Sequence, residues 1–102
     1  MKQINVGIIG TGWCGGIRAE TCAAHPLVKS LHLAETRPGR LAEIATATAA
    51  QTATADYREL IHNDTIEAVM ISATPEDLHY PMARDSLLAG KHVFLEKPIA
   101  LE

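Results

Sequence analysis

Short apolar runs alternate with amphipathic stretches along the chain, and each run has the length of a strand. Gln3 to Ile9 is nearly all apolar, the pattern of a strand buried on both faces. A helix follows from about Gly15 to Ala24 and stops before Pro26. Val28 to Ala34 is the second strand. The second helix starts near Pro38, a good first-turn residue, and carries Leu41 and Ile44 on one face. The tract from Ala45 to Ala55 is almost entirely Ala and Thr, and its alternation suits helix or strand. We divide it: the helix ends near Ala50, and a short edge strand covers Thr52 to Ala55. Asp56, with Glu59 three residues on, forms a capping box for a third helix. Ala68 to Ser72 is the fourth strand. The fourth helix is capped by Thr74, with Pro75 in its first turn and Gly90 as its stop. Leu78, Met82 and Leu87 or Leu88 are expected to face inward. His92 to Leu95 is the fifth strand.

This alternation predicts an α/β fold: a doubly wound, Rossmann-like parallel sheet of order 3-2-1-4-5, helices on both faces, joined by right-handed crossovers. Ligands of such sheets bind beyond the carboxyl ends of the strands, where the order reverses between strands one and four.

Residues 1–102 make one domain or a part of a longer protein. The apolar fraction of 47% and charged fraction of 21% are those of an ordinary globular fold. A net charge of -3 gives no basic footprint for nucleic acid. No apolar run approaches the roughly 20 residues of a membrane span. Met1-Lys2-Gln3 leads straight into a strand without a signal-peptide core, so a cytoplasmic protein is expected. Cys14 and Cys22 lack C-x-x-C spacing and imply neither a zinc site nor a disulfide framework; no metal is expected.

The chemistry concentrates at predicted strand ends. Gly10-Thr11-Gly12-Trp13-Cys14-Gly15 has the G-x-G-x-x-G spacing of a dinucleotide-binding turn and follows the first strand directly. Gly10 permits a tight turn, Gly12 a close approach of pyrophosphate, and Gly15 close packing of helix on strand. The helix start presents unpaired N–H groups and the positive end of a dipole to an anion. Trp13 either packs beside the helix or walls the nicotinamide pocket.

Glu35 ends the second strand, 20 residues beyond Gly15. A carboxylate there accepts hydrogen bonds from the adenine ribose hydroxyls and repels a 2′-phosphate, which favours NAD over NADP. Arg37 and Arg40 pull the other way, since either guanidinium can grip a 2′-phosphate. Thr74 caps a helix or reaches the nicotinamide side, or both. His79, near the crevice mouth, is a packing residue or a ligand contact. His25, His32, His62 and His92 share no spacing and read as structural or surface residues. Glu96-Lys97-Pro98 places a carboxylate and an ammonium just past the fifth strand.

Four motifs carry a family resemblance over nearly the whole chain: Val6-Gly7-Ile8-Ile9-Gly10-Thr11-Gly12, Asp56-Tyr57-Arg58-Glu59-Leu60, Ala73-Thr74-Pro75 with Leu78-His79, and the run from Gly90 to Ala100 containing Glu96-Lys97-Pro98. The sequence resembles the N-terminal domain of the Gfo/Idh/MocA oxidoreductases. The resemblance implies a pyridine-nucleotide enzyme that oxidises or reduces a hydroxyl of a sugar, cyclitol or related small metabolite. By position, Gly10, Thr11, Gly12, Trp13 and Cys14 would wrap the pyrophosphate, and Glu35 would take the ribose. Ala73, Thr74, Pro75 and His79 would border the nicotinamide half. Glu96 would bond near the nicotinamide ribose. Lys97 would face the substrate and polarise the reacting oxygen or share its proton. Glu76 and Asp77 depart from the neutral polar residues usual after this Pro, which adds negative charge near the crevice.

Family enzymes continue into a second α/β domain that supplies most of the substrate pocket and the interface of a homo-oligomer. These 102 residues are therefore expected to bind NAD without measurable turnover. Two other readings stand beside this one: a stand-alone NAD-binding, redox-sensing module without catalysis, and an interaction protein that kept the fold and lost the cofactor. Lys97 argues against a pure sensor, which needs no group facing a substrate.

Overall fold

The computed structural model of the chain describes residues 3–10, 13–72 and 79–95. Among these, strands and helices alternate strictly: β1 (Ile4–Ile9), α1 (Trp13–Ala24), β2 (Val28–Ala34), α2 (Pro38–Thr48), β3 (Thr52–Thr54), α3 (Tyr57–Ile61), β4 (Ala68–Ile71), α4 (His79–Leu88) and β5 (His92–Leu95). The strands form one sheet of order β3-β2-β1-β4-β5, every neighbouring pair parallel. This is the predicted doubly wound topology.

Each face of the sheet has its own apolar cluster, because side chains alternate along a strand. Val6, Ile8, Leu31 and Leu33 pack with Ala19 and Cys22 of α1 and Ile44 of α2. Ile9, Ala34, Val69 and Ile71 pack on the other face with Leu60, Ile61, Ile66 and Met82. Gly7 belongs to this second face and faces α3. A Cβ on Gly7 would stand 2.6 Å from Leu60 Cδ2, so the absence of a side chain lets α3 lie close to the sheet.

The Ala/Thr tract divides where expected, and its punctuation is a single left-handed residue. Ala49 caps α2 at φ 53° and ψ 43°, and its N–H donates to the Ala45 carbonyl. Gln51 N–H then bonds the Leu31 carbonyl at 2.7 Å and leads the chain into β3 beside β2.

Two local expectations need correction. Asp56 does cap α3, accepting from Arg58 N–H at 2.9 Å. Glu59, however, does not return to the Asp56 amide. Its carboxylate accepts from Thr54 Oγ1, and that hydroxyl oxygen accepts the Asp56 N–H at 3.1 Å. Thr54, at the end of β3, lies nearer than Glu59 and replaces the second half of the box. In α4, Met82 is buried as predicted, but Leu87 and Leu88 are 61% and 80% exposed. The inward positions are Met82 and Ser86, four residues apart, and Ser86 Oγ donates to the Met82 carbonyl at 2.7 Å. Each further residue turns about 100° around a helix, which carries Leu87 and Leu88 away from the sheet.

His32 is a structural histidine, 2% exposed. It bridges Ser30 Oγ and Thr52 Oγ1, both at 2.8 Å, and Ser30 donates to Asn5 Oδ1 at 2.6 Å. Lys91 is buried too; its Nζ donates to the carbonyls of Asn63 at 2.8 Å and Ile66 at 2.7 Å. That bond pair ties the start of β5 to the loop before β4.

Candidate functional site

The carboxyl ends of β1, β2 and β4 meet at one rim. The Ile9 carbonyl accepts from Ser72 N–H at 2.8 Å, on the β4 side. The next residue, Gly10, donates its amide to the Ala34 carbonyl at 2.8 Å, on the β2 side. The reversal of strand order therefore falls at Gly10. Its φ of 89° lies in the left-handed region that glycine enters without a Cβ penalty. Past this turn α1 opens at Trp13, with no acidic residue in its first turn. No carboxylate of its own neutralises the positive end of the helix dipole.

Glu35 follows β2 and completes the rim. Its amide donates to the Thr54 carbonyl at 3.0 Å, which fixes its backbone against β3. The residue is 6% exposed. Its carboxylate is gripped by Arg37 at three points. The Arg37 backbone N–H and Nε donate to Oε2 at 2.9 and 3.0 Å, and Nη2 donates to Oε1 at 3.2 Å. Local sequence explains the geometry. Pro38, at the first position of α2, disfavours helical backbone for the preceding residue. Arg37 accordingly sits extended, at φ -89° and ψ 109°, and turns both its amide and its side chain back on Glu35. The hydrogen bond to Glu35, and then its charge, raise the guanidinium pKa above its ordinary value. Arg40, on the first turn of α2, pairs with Glu43.

The predicted residues are thus placed as follows. Gly10 and Glu35 come together, joined through Ala34. Trp13 and Cys14 form the opening of α1, and His79 begins α4. Thr11, Gly12, Ala73, Thr74, Pro75, Glu96 and Lys97 lie outside the described residues. Two features were not anticipated. The first is the Arg37 grip on Glu35. The second is Ser72, whose buried Oγ has no hydrogen-bond partner among the described residues. Met70 Sδ lies 4.0 Å from Cys22 Sγ of α1, and strand alternation puts Ser72 on that same side. A small polar residue ending an apolar strand just before Ala73-Thr74-Pro75 in the sequence was the available signal.

These groups fit a dinucleotide. An orphaned buried hydroxyl calls for a ligand or a water. A helix start without acidic residues suits a pyrophosphate, and a carboxylate one strand over suits ribose hydroxyls. Among the described residues, no helix is long and apolar enough to cross a membrane, and no group of three or more His, Cys, Asp or Glu could hold a metal ion.

The sequence model of an oxidoreductase family, described as an NAD-binding Rossmann fold (GFO_IDH_MocA), matches residues 4–102. The chain belongs to the Gfo/Idh/MocA oxidoreductase family. Among family relatives, it is similar to levoglucosan dehydrogenase of Pseudarthrobacter phenanthrenivorans, at 36% identity over 109 residues covering 98% of this chain and 27% of that enzyme. A glycosyl hydrolase family 109 protein of Streptomyces niveus is 36% identical over 109 residues, covering 98% of this chain and 22% of that protein. The fold also superimposes on scyllo-inositol dehydrogenase from Lactobacillus casei, solved with bound NAD(H) and scyllo-inositol. That match has a TM-score of 0.87 and 31% identity, over 99% of this chain and 30% of the enzyme. The chain spans less than a third of each of these relatives.

Proposed function

We propose that this chain is the nucleotide-binding part of an NAD-dependent oxidoreductase that moves a hydride between nicotinamide and a hydroxyl or carbonyl carbon of a sugar, cyclitol or related small metabolite. The observation that carries the reading is the Gly10 to Ala34 hydrogen bond, which sets the glycine turn one residue from Glu35. Phosphate-binding and ribose-binding groups thereby share one rim.

In this reading Gly10, Thr11, Gly12, Trp13 and Cys14 hold the pyrophosphate, and Glu35 accepts from the adenine ribose. Ala73, Thr74, Pro75, His79 and Glu96 border the nicotinamide end. Bound nicotinamide supplies the hydride acceptor or donor. Lys97 holds or delivers the proton at the substrate oxygen, which an ammonium there is suited to do. The substrates named for the inositol and levoglucosan dehydrogenases support this class of polyhydroxylated rings. A cytoplasmic setting supplies both such metabolites and NAD. Catalysis requires the reacting carbon to be held about 3–3.5 Å from the nicotinamide, which one lysine does not achieve. The 102 residues by themselves are therefore expected to bind and not to turn over.

The test is a paired assay on the purified chain. NADH binding is followed by calorimetry, and NADH production is followed with scyllo-inositol and levoglucosan. Saturable binding without turnover is expected. Turnover by this chain would overturn the division of labour, and absence of binding would overturn the nucleotide reading.

A further inference from the structure

Arg37 carries a consequence for cofactor choice, resting on the nucleotide-site reading above. Its three hydrogen bonds converge on both oxygens of one nearly buried carboxylate. Its own side chain remains 60% exposed, so the guanidinium stands at the surface beside the ribose-binding position. The Nε and Nη2 donors that engage Glu35 form the same planar fork that binds a phosphate. That Nε/Nη2 edge cannot serve both partners at once.

We propose that Glu35 and Arg37 form a specificity latch. Arg37 positions the Glu35 carboxylate for the ribose hydroxyls, and Glu35 withholds the Nε/Nη2 edge of Arg37 from a 2′-phosphate and offsets its charge. The chain thus selects NAD by two linked means. The carboxylate repels a phosphate, and it also occupies the cation that would otherwise attract one. The extended backbone ahead of Pro38 keeps Arg37 at this rim position, so removing Glu35 releases its guanidinium beside the ribose-binding position. Arg40 is engaged with Glu43 on α2 and is not needed for this exchange.

The test uses the full chain, with Glu35→Ser, Arg37→Ala and the double variant, each titrated with NADH and with NADPH. Wild type should bind NADH more tightly than NADPH. Glu35→Ser should weaken NADH and strengthen NADPH about tenfold, the scale of one charge-assisted hydrogen bond. The double variant should lose that gain. Arg37→Ala alone should weaken NADH several-fold in protein that stays folded, with a lowered melting temperature because two donors to the nearly buried Glu35 carboxylate are lost. This variant keeps the test decisive even if Glu35→Ser folds poorly. A gain for NADPH that survives loss of Arg37 would overturn the latch, as would a Glu35→Ser protein that folds and gains nothing. Unchanged NADH affinity in Arg37→Ala would overturn the positioning role. Failure of wild type to bind either nucleotide would overturn the underlying site, and the latch with it.

Discussion

The amide of Gly10 donates to the carbonyl of Ala34 at 2.8 Å, tying the glycine turn to the strand that delivers Glu35. Gly10 itself adopts a φ of 89°, in the left-handed region. Gly10→Ala should therefore cost about 1–2 kcal/mol, the penalty of a left-handed L-residue. NADH affinity should fall with it, because the turn and the ribose site move together. Urea unfolding and an NADH titration on the same variant measure the two effects.

Gly7 underlies α3 in a different way. Its side-chain position is already filled by Leu60, so Gly7→Ala should destabilise by about 1–3 kcal/mol through overpacking. Leu60 is buried and has little room to yield. Adding Leu60→Ala to Gly7→Ala should cost less than the sum of the two single changes. Chemical denaturation of the three variants decides it; strict additivity would contradict the contact.

His32 makes stability depend on pH. Burial lowers its pKa below the ordinary 6.5, so the folded state prefers neutral imidazole. Ser30 spends its proton on Asn5 Oδ1, which leaves His32 Nε2 as the donor to Ser30 and Nδ1 as the acceptor from Thr52. The unfolded chain binds a proton first as pH falls. The contribution is thus fully present above about pH 6.5 and is lost as pH drops toward the lowered folded pKa. Urea unfolding at pH 7.5 and 5.5 should show a decline that is smaller in His32→Gln.

Lys91 satisfies the carbonyls of Asn63 and Ile66 from inside the fold. Lys91→Met keeps most of the stem and removes the donors. It should cost about 1–3 kcal/mol, the price of stranded acceptors. Thermal melting tests this. A surface change such as Leu88→Ser should stay within about 0.5 kcal/mol, because Leu88 projects from the outer face of α4.

The contrast between Met82 and Leu88 shows how legible the sequence was. Nearly every element could be read from apolar runs alternating with amphipathic stretches, most plainly in β1 and β4, and the strand order from that β/α alternation. Gly10 and Glu35 were legible because their spacing reflects a fixed geometry, strand to turn to helix to strand. Leu87 and Leu88 misled because hydrophobicity does not state which side of a helix is covered, and Ser86 took the inward position by bonding back to Met82. The Glu35 to Arg37 grip was hidden for another reason: it depends on backbone angles set by Pro38, and residue types alone do not reveal which partner a guanidinium takes. Ser72 was hidden likewise, since only packing shows that its hydroxyl is buried with no hydrogen-bond partner among the described residues.

The proposed NAD site stands on the rim formed by Gly10 and Glu35. Trp13, the single tryptophan of the chain, opens α1 beside that rim and serves as an intrinsic probe. The most direct measurement is a titration of the folded chain with NADH, followed by tryptophan fluorescence and repeated with Glu35→Ala. Saturable quenching by NADH, a weaker response to NADPH and a clear loss of NADH affinity in the variant are expected. A flat titration of well-folded wild-type protein would contradict the proposed site.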